Sequence, residues 1–179
     1  MEKGTGGFLD PETILEQLDI HDNMQMADFG SGHGYFSIPL AKVVPQGKVY
    51  ALDVVKEALE AVKGKAEIEK ISNIEAIHCN LEVLNGSKLT EDSIDLVVLA
   101  NILFQSQKKS AILKEAKRVL KKDGQLVLIE WIADSSLAPK KGWLISQEEA
   151  KQLAEAEGLR LDKELDIDSQ HYGMVFKKT

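Results

Sequence analysis

An acidic residue followed by three closely spaced glycines is the part of the sequence best suited to chemistry. Asp28 precedes Gly30, Gly32 and Gly34, and this stretch lies between a short apolar segment and a segment with helical patterning. A strand, a tight glycine turn and a helix in this order expose backbone N–H groups to a ligand. Asp53 ends the next apolar segment, where a carboxylate can accept hydrogen bonds from both hydroxyls of a ribose. The pattern therefore predicts a site for a cofactor that contains a nucleoside.

The glycine spacing and the acid help to separate two classes of cofactor. Dinucleotide-binding turns usually read Gly-x-Gly-x-x-Gly, whereas the glycines here alternate with other residues. A carboxylate at Asp28 would also repel a pyrophosphate. The amino-acid end of S-adenosylmethionine carries an ammonium and a sulfonium as well as a carboxylate, so an acid beside bare amides matches both charges. The residues favour S-adenosylmethionine; an NAD-dependent oxidoreductase and an ordinary tight strand–helix turn remain as alternatives.

These two motifs resemble those of the class I S-adenosylmethionine-dependent methyltransferases, in which an acid-x-Gly-x-Gly-x-Gly motif is followed by an acid-ended strand. Three further segments match in order, namely 77–82 as the end of a third strand, 93–101 as a fourth strand, and 112–130 as a helix, turn and fifth strand. The resemblance implies a doubly wound α/β fold with a mostly parallel seven-stranded sheet and a C-terminal antiparallel hairpin. It also implies a single domain over residues 1–179, similar to the branch of quinone-biosynthesis and other small-molecule methyltransferases.

The resemblance places cofactor contacts at the ends of the first four strands. The methionine part is expected at the glycine turn, the ribose at Asp53, and the adenine against Val54 with Asn80 at its edge. The full set of expected cofactor-binding residues is Asp28, Gly30, Ser31, Gly32, Gly34, Asp53, Val54, Asn80, Leu81 and Asn101.

No dedicated nucleophile is required, because a sulfonium methyl is already activated and the protein has mainly to align the acceptor and exclude water. The catalytic residue is left unassigned, with Glu130, Asn101 and Tyr35 as candidates. Glu130 is expected to be either a general base or, more simply, a solvent-facing carboxylate. Asn101 lacks the following Pro-Pro-Tyr or Pro-Pro-Phe of amide and adenine N-methyltransferases, which disfavours that branch, and Tyr35 either packs on a helix or reaches the site's mouth. His171 carries no recognisable motif.

Composition limits the classes of partner. The net charge of −7 disfavours a nucleic-acid-binding face, and the four scattered histidines give no metal-ligand spacing. A single cysteine is consistent with a reducing compartment, and no apolar run approaches the roughly 20 residues of a membrane span. We therefore expect a cytoplasmic protein that acts on a small molecule without a metal, with a homo-oligomer left open. A catalytically silent S-adenosylmethionine-binding partner or sensor module is the alternative function.

Local patterns predict most of the flanking elements. Asp10 is expected to cap a helix that begins at Pro11, and Ser146 with Glu149 forms a capping box. The remaining predicted elements are helices at 35–44, 55–70 and 147–157, and final strands at 159–167 and 173–177. Residues 131–145 are expected to form a loop long enough to touch a substrate.

Overall fold

The computed structural model describes residues 9–179, so the first eight residues of the predicted domain lie outside the description. Helices and strands largely alternate along the chain. In order, the elements are α1 (Pro11–Leu15), β1 (Gln25–Phe29), α2 (Ser37–Val43), β2 (Lys48–Asp53), α3 (Lys56–Ile68), β3 (Ile74–His78), β4 (Ile94–Ala100), a 3₁₀ helix (Leu103–Gln105), α4 (Lys109–Val119), β5 (Leu120–Trp131), α5 (Gln147–Ala156), β6 (Leu159–Leu165) and β7 (His171–Lys178).

The seven strands form one sheet in the order β3-β2-β1-β4-β5-β7-β6. The pairs from β3 to β5 are parallel, whereas β7 runs antiparallel to both β5 and β6. The prediction of a doubly wound, mostly parallel sheet that ends in an antiparallel hairpin is therefore confirmed.

The central strands are buried on both faces, which explains why their sequences are continuously apolar. In β4, Val97 and Leu99 lie in the core with α4 and α5, while Leu96 and Val98 lie in a second core with α1 and α2. Alternate side chains of a strand point to opposite faces, so a strand that is apolar throughout requires helices on both sides. Within residues 9–179, no helix has the length and apolar character needed to cross a bilayer.

The strand order changes direction between β1 and β4, because the chain runs outward from β1 through β2 and β3 and then returns to place β4 at the other side of β1. A crevice opens at such a switch point beyond the carboxyl ends of the strands. The glycine turn follows β1 and Asn101 follows β4, so the topology brings both to this crevice.

Local structure agrees with the predicted caps, whereas the other predicted helix starts differ by one to three residues, with α3 beginning at Lys56 rather than Val55 and α4 at Lys109 rather than Ile112. The Asp10 side chain accepts a hydrogen bond from the backbone N–H of Glu12, and Ser146 and Glu149 form the predicted capping box. Helix α2 begins at Ser37 rather than Tyr35. The glycines at 30, 32 and 34 all have positive φ angles of 52–88°, and this left-handed conformation keeps the chain in a turn for longer than the apolar pattern indicated.

Candidate cofactor and active site

The backbone of the glycine turn is hydrogen-bonded to the end of β2. The N–H groups of Gly30 and Ser31 both donate to the carbonyl of Leu52, at 2.8 and 2.9 Å. Gly30 has a φ of 73°, and a Cβ built on it would overlap the Cδ1 of Ile102. A glycine is required here because the loop after β4 lies directly against the turn.

Asp53 joins the turn to the neighbouring loop. Its Oδ2 accepts a hydrogen bond from the N–H of Gly32 at 2.8 Å, and its Oδ1 accepts one from the N–H of Val55 at 2.9 Å. Each carboxylate oxygen can accept a further hydrogen bond, so Asp53 keeps acceptor capacity for a ligand.

A cavity of about 310 Å³ opens where the turn, Asp53 and the end of β3 meet. Its walls are formed by Gly30, Asp53, Val54, Val55, Cys79, Asn80, Leu81, Glu82, Ile102, Gln105, Ser106 and Ile112. The structure thus brings five of the expected cofactor-binding residues together, namely Gly30, Asp53, Val54, Asn80 and Leu81. A larger groove of about 440 Å³ lies against α1 and α2 and contains none of the expected site residues.

The other five expected residues, Asp28, Ser31, Gly32, Gly34 and Asn101, do not border the cavity. Asp28 is buried and accepts a 2.6 Å hydrogen bond from the Ser37 hydroxyl. Burial raises the pKa of Asp28 to about 6, and the hydrogen bond from Ser37 opposes this rise. A carboxylate with this pKa is largely ionised at neutral pH, so it places a buried negative charge behind the glycine turn.

Four buried side-chain oxygens have no hydrogen-bond partner in the described part of the chain, namely the Oγ of Ser31, the Oδ1 of Asn101, the Oε2 of Glu130 and the Oγ of Ser135. The first two belong to residues expected to bind the cofactor. Asn101 also has a φ of 57°, an uncommon conformation for a residue with a side chain. Buried polar atoms are normally satisfied, so the Ser31 and Asn101 oxygens leave acceptor positions open for a polar ligand or an ordered water. The residues present therefore fit a cofactor with a charged amino-acid end.

Glu130 is buried, with 1% of its surface exposed, so the expectation of a solvent-facing carboxylate is wrong. The physical reason is the loop after β4, which brings the backbone N–H groups of residues 102–104 against the Glu130 carboxylate. Its Oε1 accepts a 2.6 Å hydrogen bond from the N–H of Leu103, at the start of the 3₁₀ helix. Burial raises the pKa of Glu130 to about 7, opposed by the backbone N–H groups of Leu103, Phe104 and Ile102.

Tyr35 lies outside the cavity and before the start of α2. Its side chain is about half exposed, its ring meets Phe36 edge to face, and its hydroxyl donates to the carbonyl of Leu9. These contacts tie the turn before α2 to the segment that precedes α1.

The structure reveals polar residues that the sequence patterns did not identify. His171 is buried beside Asn101, with Asp168 on the other side of its ring. The loop after β4 contributes Gln105 and Ser106 to the cavity wall, and the Ser106 hydroxyl donates to Glu82 at 2.5 Å. Val55, Cys79 and Glu82 also border the cavity, and each lies next to an expected site residue in the sequence. Their positions beside those residues could have identified them. His171 had no such signal, because 70 residues separate it from Asn101.

Comparisons with known proteins identify the family and the fold. An arsenite methyltransferase of Aquipseudomonas alcaligenes is 32% identical over 122 residues, which are 65% of this chain and 35% of that protein. A demethylmenaquinone methyltransferase of Geobacillus sp. (strain WCH70) is 27% identical over 120 residues, which are 66% of this chain and 50% of that protein. The chain thus spans half or less of the length of these curated relatives.

The fold and the family follow from two further comparisons. A solved structure described as a SAM-dependent methyltransferase from Aquifex aeolicus superposes with a TM-score of 0.84 at 24% identity, covering 97% of this chain and 92% of that one. The family model of a methyltransferase domain matches residues 20–178. The resemblance inferred from the sequence is confirmed, and the chain belongs to the methyltransferase domain family.

Proposed function

We propose that this protein transfers a methyl group from S-adenosylmethionine to a small-molecule acceptor. The observation that carries the proposal is the meeting of the glycine turn, Asp53 and Asn80 around one cavity at the carboxyl edge of the sheet. Family membership supports the reaction class, and the names of the two relatives, which describe arsenite and demethylmenaquinone methyltransferases, support a small acceptor.

The cavity suits an adenosine. Asp53 keeps acceptor capacity for the ribose hydroxyls, and Val54, Cys79 and Leu81 provide apolar surface for a flat base. The Oδ1 of Asn80 accepts the N–H of Glu82 at 2.9 Å and retains a second lone pair for the adenine amino group. Its amide nitrogen can donate to the adjacent ring nitrogen, which is the usual pairing of an asparagine with adenine.

The amino-acid end of the cofactor requires groups of both charges. Asp28 supplies the negative charge that an ammonium requires. The expectation of bare amides in the turn is wrong for four residues, because the N–H groups of Gly30 and Ser31 donate to Leu52, that of Gly32 to Asp53 and that of Gly34 to Ser31, so the carboxylate of the cofactor is not assigned to them. The unpartnered Oγ of Ser31 and Oδ1 of Asn101 add hydrogen-bonding groups in the same region.

When bound, the cofactor supplies an activated methyl group, so the chain's residues have mainly to bind, orient and exclude water. We assign no general base. Glu130 is bonded to the backbone of the loop after β4 and does not border the cavity, so its role here is to hold Ile102, Gln105 and Ser106 in the cavity wall.

Titration calorimetry tests cofactor binding. We expect S-adenosylhomocysteine, the demethylated product, to bind the wild-type protein, and NAD to give no heat. Asp53→Ala should weaken this binding by at least about tenfold, because it removes two charge-assisted hydrogen bonds worth roughly 1.5–3 kcal/mol each. Asp19→Ala is the matched control, since Asp19 is exposed and pairs only with the exposed His21 among the described ion pairs. Tight binding of NAD without a response to S-adenosylhomocysteine would reverse the assignment.

A transfer assay then separates an enzyme from a silent binding module. The protein is incubated with labelled methyl donor and either a small-metabolite extract or total RNA. We expect label in small molecules and none in RNA. Donor binding without transfer to any fraction would favour the alternative of a partner or sensor module, and label in RNA would contradict the small-molecule acceptor.

A further inference from the structure

The buried His171 and the part-buried Asp168 form a well-fixed pair at the carboxyl edge of the sheet. The Nδ1 of His171 lies 3.0 Å from both carboxylate oxygens of Asp168. Asp168 is itself held, because its Oδ1 accepts the backbone N–H groups of Gln170 and His171 at 2.7 and 2.8 Å. The ring of Trp131 lies against the imidazole, with ring centres 4.1 Å apart. The imidazole is therefore fixed in both position and rotation.

This arrangement determines which ring nitrogen carries hydrogen in the neutral imidazole. A carboxylate accepts hydrogen bonds and cannot donate them, so the Nδ1 that faces Asp168 carries the hydrogen and the Nε2 is an acceptor. The Nε2 lies 3.2 Å from the Nδ2 of Asn101, which is the donating end of that side-chain amide. The His171 ring thus fixes which end of the Asn101 amide faces it.

The opposite end of the amide is then presented as an acceptor. The Oδ1 of Asn101 is buried and has no partner within residues 9–179. The backbone of Asn101 is held on both sides, since its N–H donates to Ile129 at 2.8 Å and its carbonyl accepts the Gln105 side chain at 2.8 Å. An oxygen that is held in this way and left without a donor is matched to an N–H or O–H group of a ligand.

We propose that Asp168 and His171 are positioning residues that hold the Oδ1 of Asn101 toward the ammonium group of the bound cofactor. The inference rests on the proposed function. The ribose hydroxyls and the adenine amino group of the cofactor are assigned to Asp53 and Asn80, which lie where β2 and β3 end. Asn101 follows β4, on the opposite side of β1 from those two strands. The ammonium is the remaining donor of the cofactor, and Ile102, the residue after Asn101, lies against the first glycine of the turn.

Two substitutions of His171 separate positioning from packing. In His171→Asn the shorter amide can still donate to Asp168 but does not reach Asn101. In His171→Gln the longer amide can place an oxygen near the former Nε2 and accept the Asn101 N–H. His21→Asn is the matched control, because His21 is largely exposed and remote from the cavity wall.

The readout is the affinity for two ligands, S-adenosylhomocysteine and 5′-methylthioadenosine, which lacks the amino-acid end. We expect His171→Asn to weaken binding of the first by about tenfold or more and to change binding of the second by less than about twofold. His171→Gln should recover most of the loss, and His21→Asn should match the wild type. Equal losses for both ligands, equal losses in both His171 variants, or no loss would overturn the proposal.

Nitrogen-15 NMR of the wild-type protein gives a test that needs no variant. We expect His171 to show hydrogen on Nδ1 and an unprotonated Nε2, and hydrogen on Nε2, alone or together with Nδ1, would overturn the inference. A different result would contradict the proposed function itself, namely that the wild-type protein binds neither S-adenosylhomocysteine nor 5′-methylthioadenosine. If it binds both and His171→Asn behaves as the wild type, only the positioning role fails.

Discussion

Asp28 shows how burial prepares a single residue for a cationic ligand. Its carboxylate has Ser37 as a side-chain partner, and burial raises its pKa to about 6. Above this pH the group is charged and attracts an ammonium, and below it the attraction is lost. Binding of a cation in turn lowers the pKa of the carboxyl group.

We predict that the affinity for S-adenosylhomocysteine falls as the pH is lowered from 8 to 5, with the change centred near the Asp28 pKa of about 6. Asp28→Asn should bind about tenfold more weakly at pH 8 and lose this dependence on pH. Calorimetry across the pH range measures both effects. The control ligand is 5′-methylthioadenosine, which has no ammonium and should show a flat profile. An unchanged pH profile in Asp28→Asn would contradict the role of this residue.

The glycine turn allows a matched comparison at two positions. Gly30 and Gly32 both have positive φ, at 73° and 52°, but a Cβ at Gly32 would meet nothing within 4 Å, whereas one at Gly30 would overlap Ile102. Alanine should therefore cost about 1–2 kcal/mol of unfolding free energy at Gly32 through backbone strain alone, and more at Gly30. Denaturant unfolding measures both values. The cost of Gly30→Ala should shrink in an Ile102→Ala background, and equal costs in both backgrounds would contradict the contact.

At the scale of elements, Glu130 links β5 to the loop that follows β4. The carboxylate accepts the N–H of Leu103, and Ile102 and Gln105 on either side of this bond border the cavity. Because burial raises the pKa of Glu130 from 4.5 to about 7, the folded protein retains a proton that the unfolded chain has already released. The Glu130 contribution to the free energy of unfolding therefore falls as the pH rises between these values and is level above them.

Glu130→Gln cannot ionise and should remove this dependence. We predict that the unfolding free energy of the variant, relative to wild type, rises by up to about 3 kcal/mol between pH 4.5 and pH 7. Denaturant unfolding of both proteins at several pH values in this range gives the difference between their unfolding free energies. Asp28 is present in both proteins, so its own contribution cancels in that difference. A difference that is constant with pH would contradict a buried, ionisable Glu130.

The helices and strands could be predicted well from the sequence where the side chains themselves determine the residue at which an element begins or ends. Asp10 and Ser146 determine helix starts through their own hydrogen bonds, and the buried apolar strands are visible as continuous runs. The start of α2 could not be predicted as well, because it depends on backbone dihedral angles in the glycine turn. The turn expected between the helix and the fifth strand of segment 112–130 is present as an irregularity inside β5, where the register with β4 shifts and Asp123 has a φ of 63°.

At the scale of the whole molecule, the topology determines which residues of the candidate site can be predicted from the sequence. Residues that follow β1, β2 and β3 belong to recognisable motifs, and five of them border the cavity. The contact between Asn101 and His171 joins β4 to a strand 70 residues later, and no local pattern encodes such a pairing. The burial of Glu130 could not be predicted for a related reason, since it depends on the loop after β4, which lies against its carboxylate.

The net charge of the whole chain bears on the acceptor that we propose. The net charge of −7 would repel a polyanion, whereas it has little effect on the approach of a neutral small molecule. We therefore predict that adding total RNA leaves the binding isotherm for S-adenosylhomocysteine unchanged at low salt, where electrostatic attraction is strongest. Displacement or tightening by RNA would contradict a small-molecule acceptor.

The most direct measurement is a crystal structure of the protein with S-adenosylhomocysteine bound. We predict that the adenosine occupies the cavity of about 310 Å³, with its ribose hydroxyls on Asp53 and its base between Val54 and Asn80. The amino-acid end should then extend past the glycine turn toward Asp28 and Asn101. A ligand found in the groove against α1 and α2, or any pose without contact to Asp53, would contradict the proposed site.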